Sequence, residues 1–180
     1  MHIILTGEQQ VGKTTLAWKL GNDLRAIGFR TVGFVTRQVD DGLVLQNLAG
    51  GEPVRIAYTD RPGKDIKHTQ IGRYFFLDDV LRFAGHMLRW PGDVLVVDEM
   101  GLWEASGGGL IDAFDEINSR VPHSIVVVRK SVLPLIKSNY HREPMVIEVT
   151  TRNREQVYHA VMHRFRQFRN TEELGRINYH

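Results

Sequence analysis

The stretch Gly7-Glu8-Gln9-Gln10-Val11-Gly12-Lys13-Thr14-Thr15 joins two glycines, a lysine and hydroxyls in the spacing G-x-x-x-x-G-K-[ST], directly behind the apolar run Ile3-Ile4-Leu5. The spacing has a chemical reason. Gly7 lets a strand turn sharply, and Gly12 lets the backbone approach a phosphate oxygen. The amides between them form an anion nest at the N-terminus of the following helix, whose dipole favours negative charge. Lys13 would reach the outer phosphates, and Thr14 would offer its hydroxyl to Mg²⁺. Glu8, Gln9, Gln10 and Val11 contribute backbone, so their identities do not spoil the loop. The side chain of Glu8 is expected to point to solvent.

A second segment, Val94-Leu95-Val96-Val97-Asp98-Glu99, is an apolar strand that ends in two acids. In parallel sheets such strand ends are where ligands bind. Asp98 is placed to hold a Mg²⁺ shell, and Glu99 to polarise an attacking water. Arg129 follows the apolar run Ile125 to Val128, where a cation could sense a γ-phosphate; a plain surface arginine is the alternative. Asn153 is expected to cap the last helix, with Gln156 as its partner three residues on. The loop of Arg152 to Arg154 could also flank a base, which makes Asn153 a candidate nucleotide contact. His159 and His163, one helical turn apart, have no acid motif beside them and read as exposed helix residues rather than metal ligands. Gly107-Gly108-Gly109 lacks the lysine and hydroxyl of a second phosphate loop and reads as a connection.

These groups need a scaffold, and the chain alternates apolar runs with helical stripes. Strands are expected at Ile3 to Leu5, Val32 to Thr36, Val94 to Val97, Ser124 to Val128 and Met145 to Val149. Leu43 to Leu48 and Val54 to Tyr58 read as a hairpin around Ala49-Gly50-Gly51-Glu52-Pro53. Helices are expected from Leu16 to Ile27, Asp78 to Trp90, Leu110 to Asn118, Leu133 to Ser138 and Arg154 to Phe168. Arg61 to Thr69 reads as a loop. The pattern predicts an α/β protein with a mostly parallel sheet covered by helices and a β-hairpin insertion. One domain is expected over residues 1–168, with a loose polar tail from Arg169 to His180.

Composition bounds the function. With 42% apolar and 24% charged residues, the 180-residue chain has the make-up of a soluble globular domain. The absence of cysteine excludes disulfides and thiolate metal sites and fits a reducing cytoplasm. No run approaches the roughly 20 apolar residues that span a bilayer, and the start is not expected to be a signal peptide. A formal charge of +2 is too weak to indicate nucleic acid.

Five segments together carry a resemblance: I-I-L-T-G-E-Q-Q-V-G-K-T-T-L, V-G-F-V-T-R-Q-V, I-G-R-Y, V-D-E-M-G-L-W-E and V-I-E-V-T-T-R-N-R-E. In order and separation they resemble the small nucleoside-triphosphatases known in thermophiles and, in vertebrates, as cancer-related nucleoside-triphosphatase. The resemblance implies a RecA-like P-loop NTPase, a three-layer sandwich that hydrolyses several ribonucleoside triphosphates slowly with Mg²⁺. It implies that Gly7 to Thr15 and the strand end Asp98, Glu99, Met100 and Gly101 form the nucleotide and metal site. Lys13, Glu99 and Arg129 would be catalytic, and Thr14 and Asp98 would hold the metal. Two departures stand out: Gln10 occupies a position that is usually glycine, stiffening the loop, and Leu102 one that is usually lysine, lowering the rate. Two other readings fit the same fold, a small-molecule kinase and a nucleotide-gated module that binds a protein partner.

Overall fold

The computed structural model describes residues 1–101, 110, 113, 114, 116 and 119–177, with side chains described as far as Thr171. The first half of the chain runs β1 (His2–Thr6), α1 (Lys13–Ala26), β2 (Thr31–Val39), β3 (Gly42–Asn47), β4 (Val54–Tyr58), β5 (His68–Ile71), β6 (Tyr74–Leu77) and α2 (Asp78–Leu88). The second half continues with β7 (Val94–Met100), β8 (His123–Val128), α3 (Leu133–Ser138), β9 (Met145–Glu148) and α4 (Arg154–Ile177). A short 3-10 turn, Lys130–Val132, leads into α3.

The nine strands of the described residues belong to one sheet, ordered β5-β6-β4-β3-β2-β7-β8-β1-β9. From β2 to β9 the neighbours are parallel. From β2 outward to β5 they are antiparallel. The expectation of a mostly parallel central sheet is met in part: the strands from β2 to β9 are parallel, while over the described residues the ladders divide evenly between the two kinds. The reason is local. β2 extends past Thr36 and turns back at once, pairing Val39 with Gly42. A further hairpin, β5–β6, pairs Ile71 with Tyr74 across Gly72-Arg73. It takes up His68 and Thr69, the end of the expected loop. The β3–β4 hairpin stands where the sequence places it.

The parallel strands are apolar on both faces because helices cover both. Ile4, Leu95, Val97, Val126 and Val128 face a cluster completed by Ala84, Met87 and Leu88 of α2, Phe114, and Ile136 of α3. Ile3, Leu5, Val94, Val96, Ile125 and Val127 point the other way, onto Leu16, Leu20 and Leu24 of α1 and Val157, Val161 and Phe165 of α4. The period-two alternation of each strand thus fills two cores. Of the helix expected over Leu110 to Asn118, the described residues Ala113, Phe114 and Glu116 are helical. Leu102 and Gly107-Gly108-Gly109 lie outside the described residues.

α4 runs from Arg154 to Ile177, past the Phe168 at which the last helix was expected to stop. Once a helix is nucleated, each added residue gains a hydrogen bond without a new nucleation cost, so an apolar stripe is not required to prolong it. Among the described residues no helix is long and apolar enough to cross a membrane.

Phe165 anchors α4 to the sheet. It is fully buried and meets Phe29 edge-on, with ring centroids 5.4 Å apart. Phe168, one turn further on, is 39% exposed. Phe165→Ala is therefore expected to cost about 3–5 kcal/mol in urea unfolding, as full removal of a buried ring does. Phe168→Ala should cost about 1 kcal/mol.

Candidate active site

Four parallel strands end on one side of the sheet and deliver the polar groups picked out in the sequence. β1 runs into the phosphate loop, β7 into Asp98 and Glu99, β8 into Arg129, and β9 into the turn before α4. β8 lies between β1 and β7, so the loop and the acids are separated by one strand width.

The two glycines of the loop answer to backbone and side-chain crowding. Gly7 has φ 141°, and a Cβ there would stand 2.3 Å from the carbonyl oxygen of Val149. At Gly12, φ is 90° and a Cβ would stand 2.4 Å from Nη1 of Arg154. Gly12 is also the N-cap of α1; it brings no side chain to the first amides, and no acid stands in the first turn. Those amides are left for an anion. Gln10, at φ 61°, is the non-glycine residue of the loop in left-handed conformation. The departure from glycine at this position therefore falls where glycine is favoured.

Lys13 is buried, and its Nζ donates to the carbonyl oxygens of Gly7 at 2.9 Å and Glu8 at 2.6 Å. Val11 packs against the α1–α4 core, while Glu8, Gln9 and Gln10 are exposed. Glu8 does not simply face solvent: its carboxylate accepts from Nζ of Lys130 at 2.8 Å. Thr14 and Thr15 open onto a cavity of about 300 Å³, which Trp18, Thr36, Arg37 and Gln38 complete.

Asp98 is fully buried, and neither carboxylate oxygen has a hydrogen-bond partner. Burial pushes its pKa up to about 7, with the Glu99 charge adding to the rise. The Thr14 hydroxyl, the Thr36 amide and the Lys13 charge lean the other way without completing a bond. Glu99 forms an ion pair with Nε of Arg129. The Arg129 side chain lies over Gly101, and its amide donates to the Met100 carbonyl at 3.3 Å. Met100 itself is buried in the core beneath α2. The peptide bond between Asp98 and Glu99 is cis.

Asn153 behaves differently from the capping expectation. Its Oδ1 accepts from the Thr150 amide at 2.8 Å, and its Nδ2 donates to the Glu148 carbonyl at 2.9 Å. The side chain braces the end of β9 rather than the first turn of α4, because the chain doubles back there. Only its backbone carbonyl joins the helix, accepting from Val157 at 2.9 Å. The residue beside the loop is its neighbour, Arg154. His159 and His163 are exposed, and no cluster of His, Cys, Asp and Glu that could hold a metal occurs among the described residues.

Lys130 escaped the sequence reading of this site, while Arg154 was named there within the loop of Arg152 to Arg154 that could flank a base. Lys130 bridges Glu8 and Glu148, at 2.8 and 2.7 Å. Arg154 was legible only as part of a basic loop. For both, the available signal was a cation immediately after a strand end or opening a helix next to the loop.

Comparison with known proteins agrees with this geometry. A family model described as NTPase matches residues 2–162. The nucleoside-triphosphatase THEP1 of Methanocaldococcus jannaschii is 25% identical over 173 residues, covering 91% of this chain and 96% of that protein. The cancer-related nucleoside-triphosphatase homolog of Bos taurus is 30% identical over 174 residues, covering 85% of this chain and 90% of that protein. The crystal structure of THEP1 from Aquifex aeolicus superposes with a TM-score of 0.63 at 26% identity, covering 89% of this chain and 96% of that one. These matches identify the α/β architecture as that of a P-loop NTPase.

Two predictions come from the loop and its floor. A carboxyl whose pKa is raised by folding binds its proton more tightly when folded. Its contribution to stability is complete below the unfolded value of 3.8 and is lost as pH rises through about 7. Urea unfolding without nucleotide or metal should therefore show stability falling over that window, and Asp98→Asn should fall less. Gln10→Gly should hold stability constant or raise it by up to about 1 kcal/mol, because relief of the left-handed side chain outweighs the extra freedom of glycine when unfolded. Gln10→Val should lower it, as measured by thermal denaturation.

Proposed function

The chain belongs to the NTPase family and is a nucleoside-triphosphatase, and we propose that it works with Mg²⁺, slowly and with little preference for the base. The observation that carries this reading is the buried, unpartnered carboxylate of Asp98 beside Thr14 and Lys13. A buried charge without a partner is costly, and a hard cation satisfies it. Mg²⁺ suits the donor set: one carboxylate and one hydroxyl leave most of its octahedral positions to phosphate and water. Asp98 and Thr14 would hold the ion, which when bound neutralises charge on the β- and γ-phosphate oxygens.

The chain's own groups then have distinct tasks. The amides of the loop and the N-terminus of α1 take the phosphates. Lys13 exchanges the carbonyls of Gly7 and Glu8 for phosphate oxygens. Glu99 orients a water and accepts its proton as the water oxygen bonds to the γ-phosphorus. The bond from that phosphorus to the bridging oxygen breaks, and the diphosphate leaves with the electron pair. Arg129 holds Glu99 in place and stands close enough to the acids to sense the γ-phosphate. Arg154, whose guanidinium stands against Gly12, would offer its plane to a base. Stacking of that kind accepts any base, which supports weak base preference.

A second reading, phosphoryl transfer to a small acceptor, is favoured by the 300 Å³ cavity beside Thr14, which Arg37 and Gln38 line. Phosphate release from ATP, GTP, CTP and UTP, with and without Mg²⁺ and with no acceptor added, tests both. Comparable release from all four with Mg²⁺ and none without it is expected. Release that requires an acceptor overturns hydrolysis as the function. Within the same assay Glu99→Gln should bind Mg²⁺-nucleotide normally and turn over about 10²-fold more slowly, as loss of a general base does. Normal turnover by that variant would remove Glu99 from the mechanism.

A further inference from the structure

We propose that Lys130 supplies a cation to the transferred phosphate, and that Glu8 and Glu148 hold it beside the loop until a nucleotide arrives. This rests on the hydrolytic reading above. Lys130 follows Arg129 at the end of β8, on the same side of the sheet as the phosphate loop. Its Nζ contacts Glu8 at 2.8 Å and Glu148 at 2.7 Å. Glu8 is a loop residue, and its backbone carbonyl holds the ammonium of Lys13 at 2.6 Å. Glu148 ends β9, one residue before the carbonyl of Val149 against which Gly7 packs. Both acids therefore flank the first turn of the loop, and both cations hang on Glu8.

The charge balance argues for transfer. Glu8 and Glu148 share the single Lys130 ammonium, so neither carboxylate has a cation to itself beside the anion site. A triphosphate brings more negative charge than either acid and can draw the ammonium away. The Lys130 side chain is 46% exposed, so its head can move without disturbing a core. Arg129 is not free in the same way: turning fully to the phosphate would release Glu99, the base it holds. Lys130 can move while Arg129 stays. Its two ion pairs, both partly exposed, contribute little to stability, and a strut is a poor reason for them.

Single-turnover hydrolysis of Mg-ATP, with affinities for Mg-ATP and Mg-ADP, tests this in Lys130→Met, Lys130→Arg and Glu148→Gln. Lys130→Met should hydrolyse about 10²-fold more slowly, the usual loss when one group facing the developing charge is removed. Its affinity for Mg-ADP, which has no γ-phosphate, should stay within about twofold, and Lys130→Arg should recover part of the rate. Glu148→Gln loosens the tether but keeps the cation, so its rate should stay within about threefold. A Lys130→Met rate equal to that of the unaltered protein overturns the proposal. So does a Glu148→Gln loss as large as that of Lys130→Met, which would make the bridge a strut. If the unaltered protein releases no phosphate from Mg-ATP, the hydrolytic reading itself fails.

Discussion

A carboxylate at the end of β7, fully buried and without a hydrogen bond, sets the terms for everything around it. Left ionised, Asp98 would be among the most expensive groups in the molecule. Burial instead favours its protonated form, so the charge becomes affordable only when a cation sits beside it. Under the proposed function a cation held there would satisfy the carboxylate, and metal and triphosphate binding would be coupled through it. The position of β8 between β1 and β7 keeps this floor one strand away from the loop.

Three cations of the site stand on protein acceptors. Lys13 rests on two loop carbonyls, Arg129 on Glu99, and Lys130 on Glu8 and Glu148. Under the proposed function, binding would exchange internal contacts for phosphate contacts instead of adding new ones. Net affinity is then smaller than the number of charges suggests, because each released acceptor must be resolvated or repaired. For an enzyme this is useful. Interactions withheld from the ground state can be made where charge develops, and product leaves more easily from a site that can satisfy itself.

The phosphate loop and the acid-bearing strand were legible in the sequence because each is a local event, a strand running into a turn within about ten residues. The helices α1, α2 and α3 were legible through their apolar spacing, and the β3–β4 hairpin through Gly50-Gly51 and Pro53. The β5–β6 hairpin was not. His68-Thr69-Gln70 shows no alternation, and these residues become a strand only because Tyr74 to Leu77 pairs with them. The second half of β2 was missed for the same reason: it is held by β3, not by burial. At the site, what escaped was long in sequence separation. Lys130 meets Glu8 across 122 residues, and Arg154 meets Gly12 from the far end of the chain. Asn153 looked like a cap because of its neighbours, but the end of β9 claimed its side chain first.

The inserted antiparallel half contributes no loop or acid to the site, yet one strand serves both halves. Residues Thr31 to Val35 of β2 run parallel to β7, and Phe34 to Val39 run antiparallel to β3. The change of partner falls at Thr36, Arg37 and Gln38, the residues that line the cavity next to Thr14 and Trp18. Arg37 also donates to Gln46 of β3 at 3.2 Å, and Gln46 in turn holds the carbonyl of Gly51 in the hairpin turn. A chain of hydrogen bonds thus leads from the tip of the insertion, through β2, to the cavity wall beside Thr14.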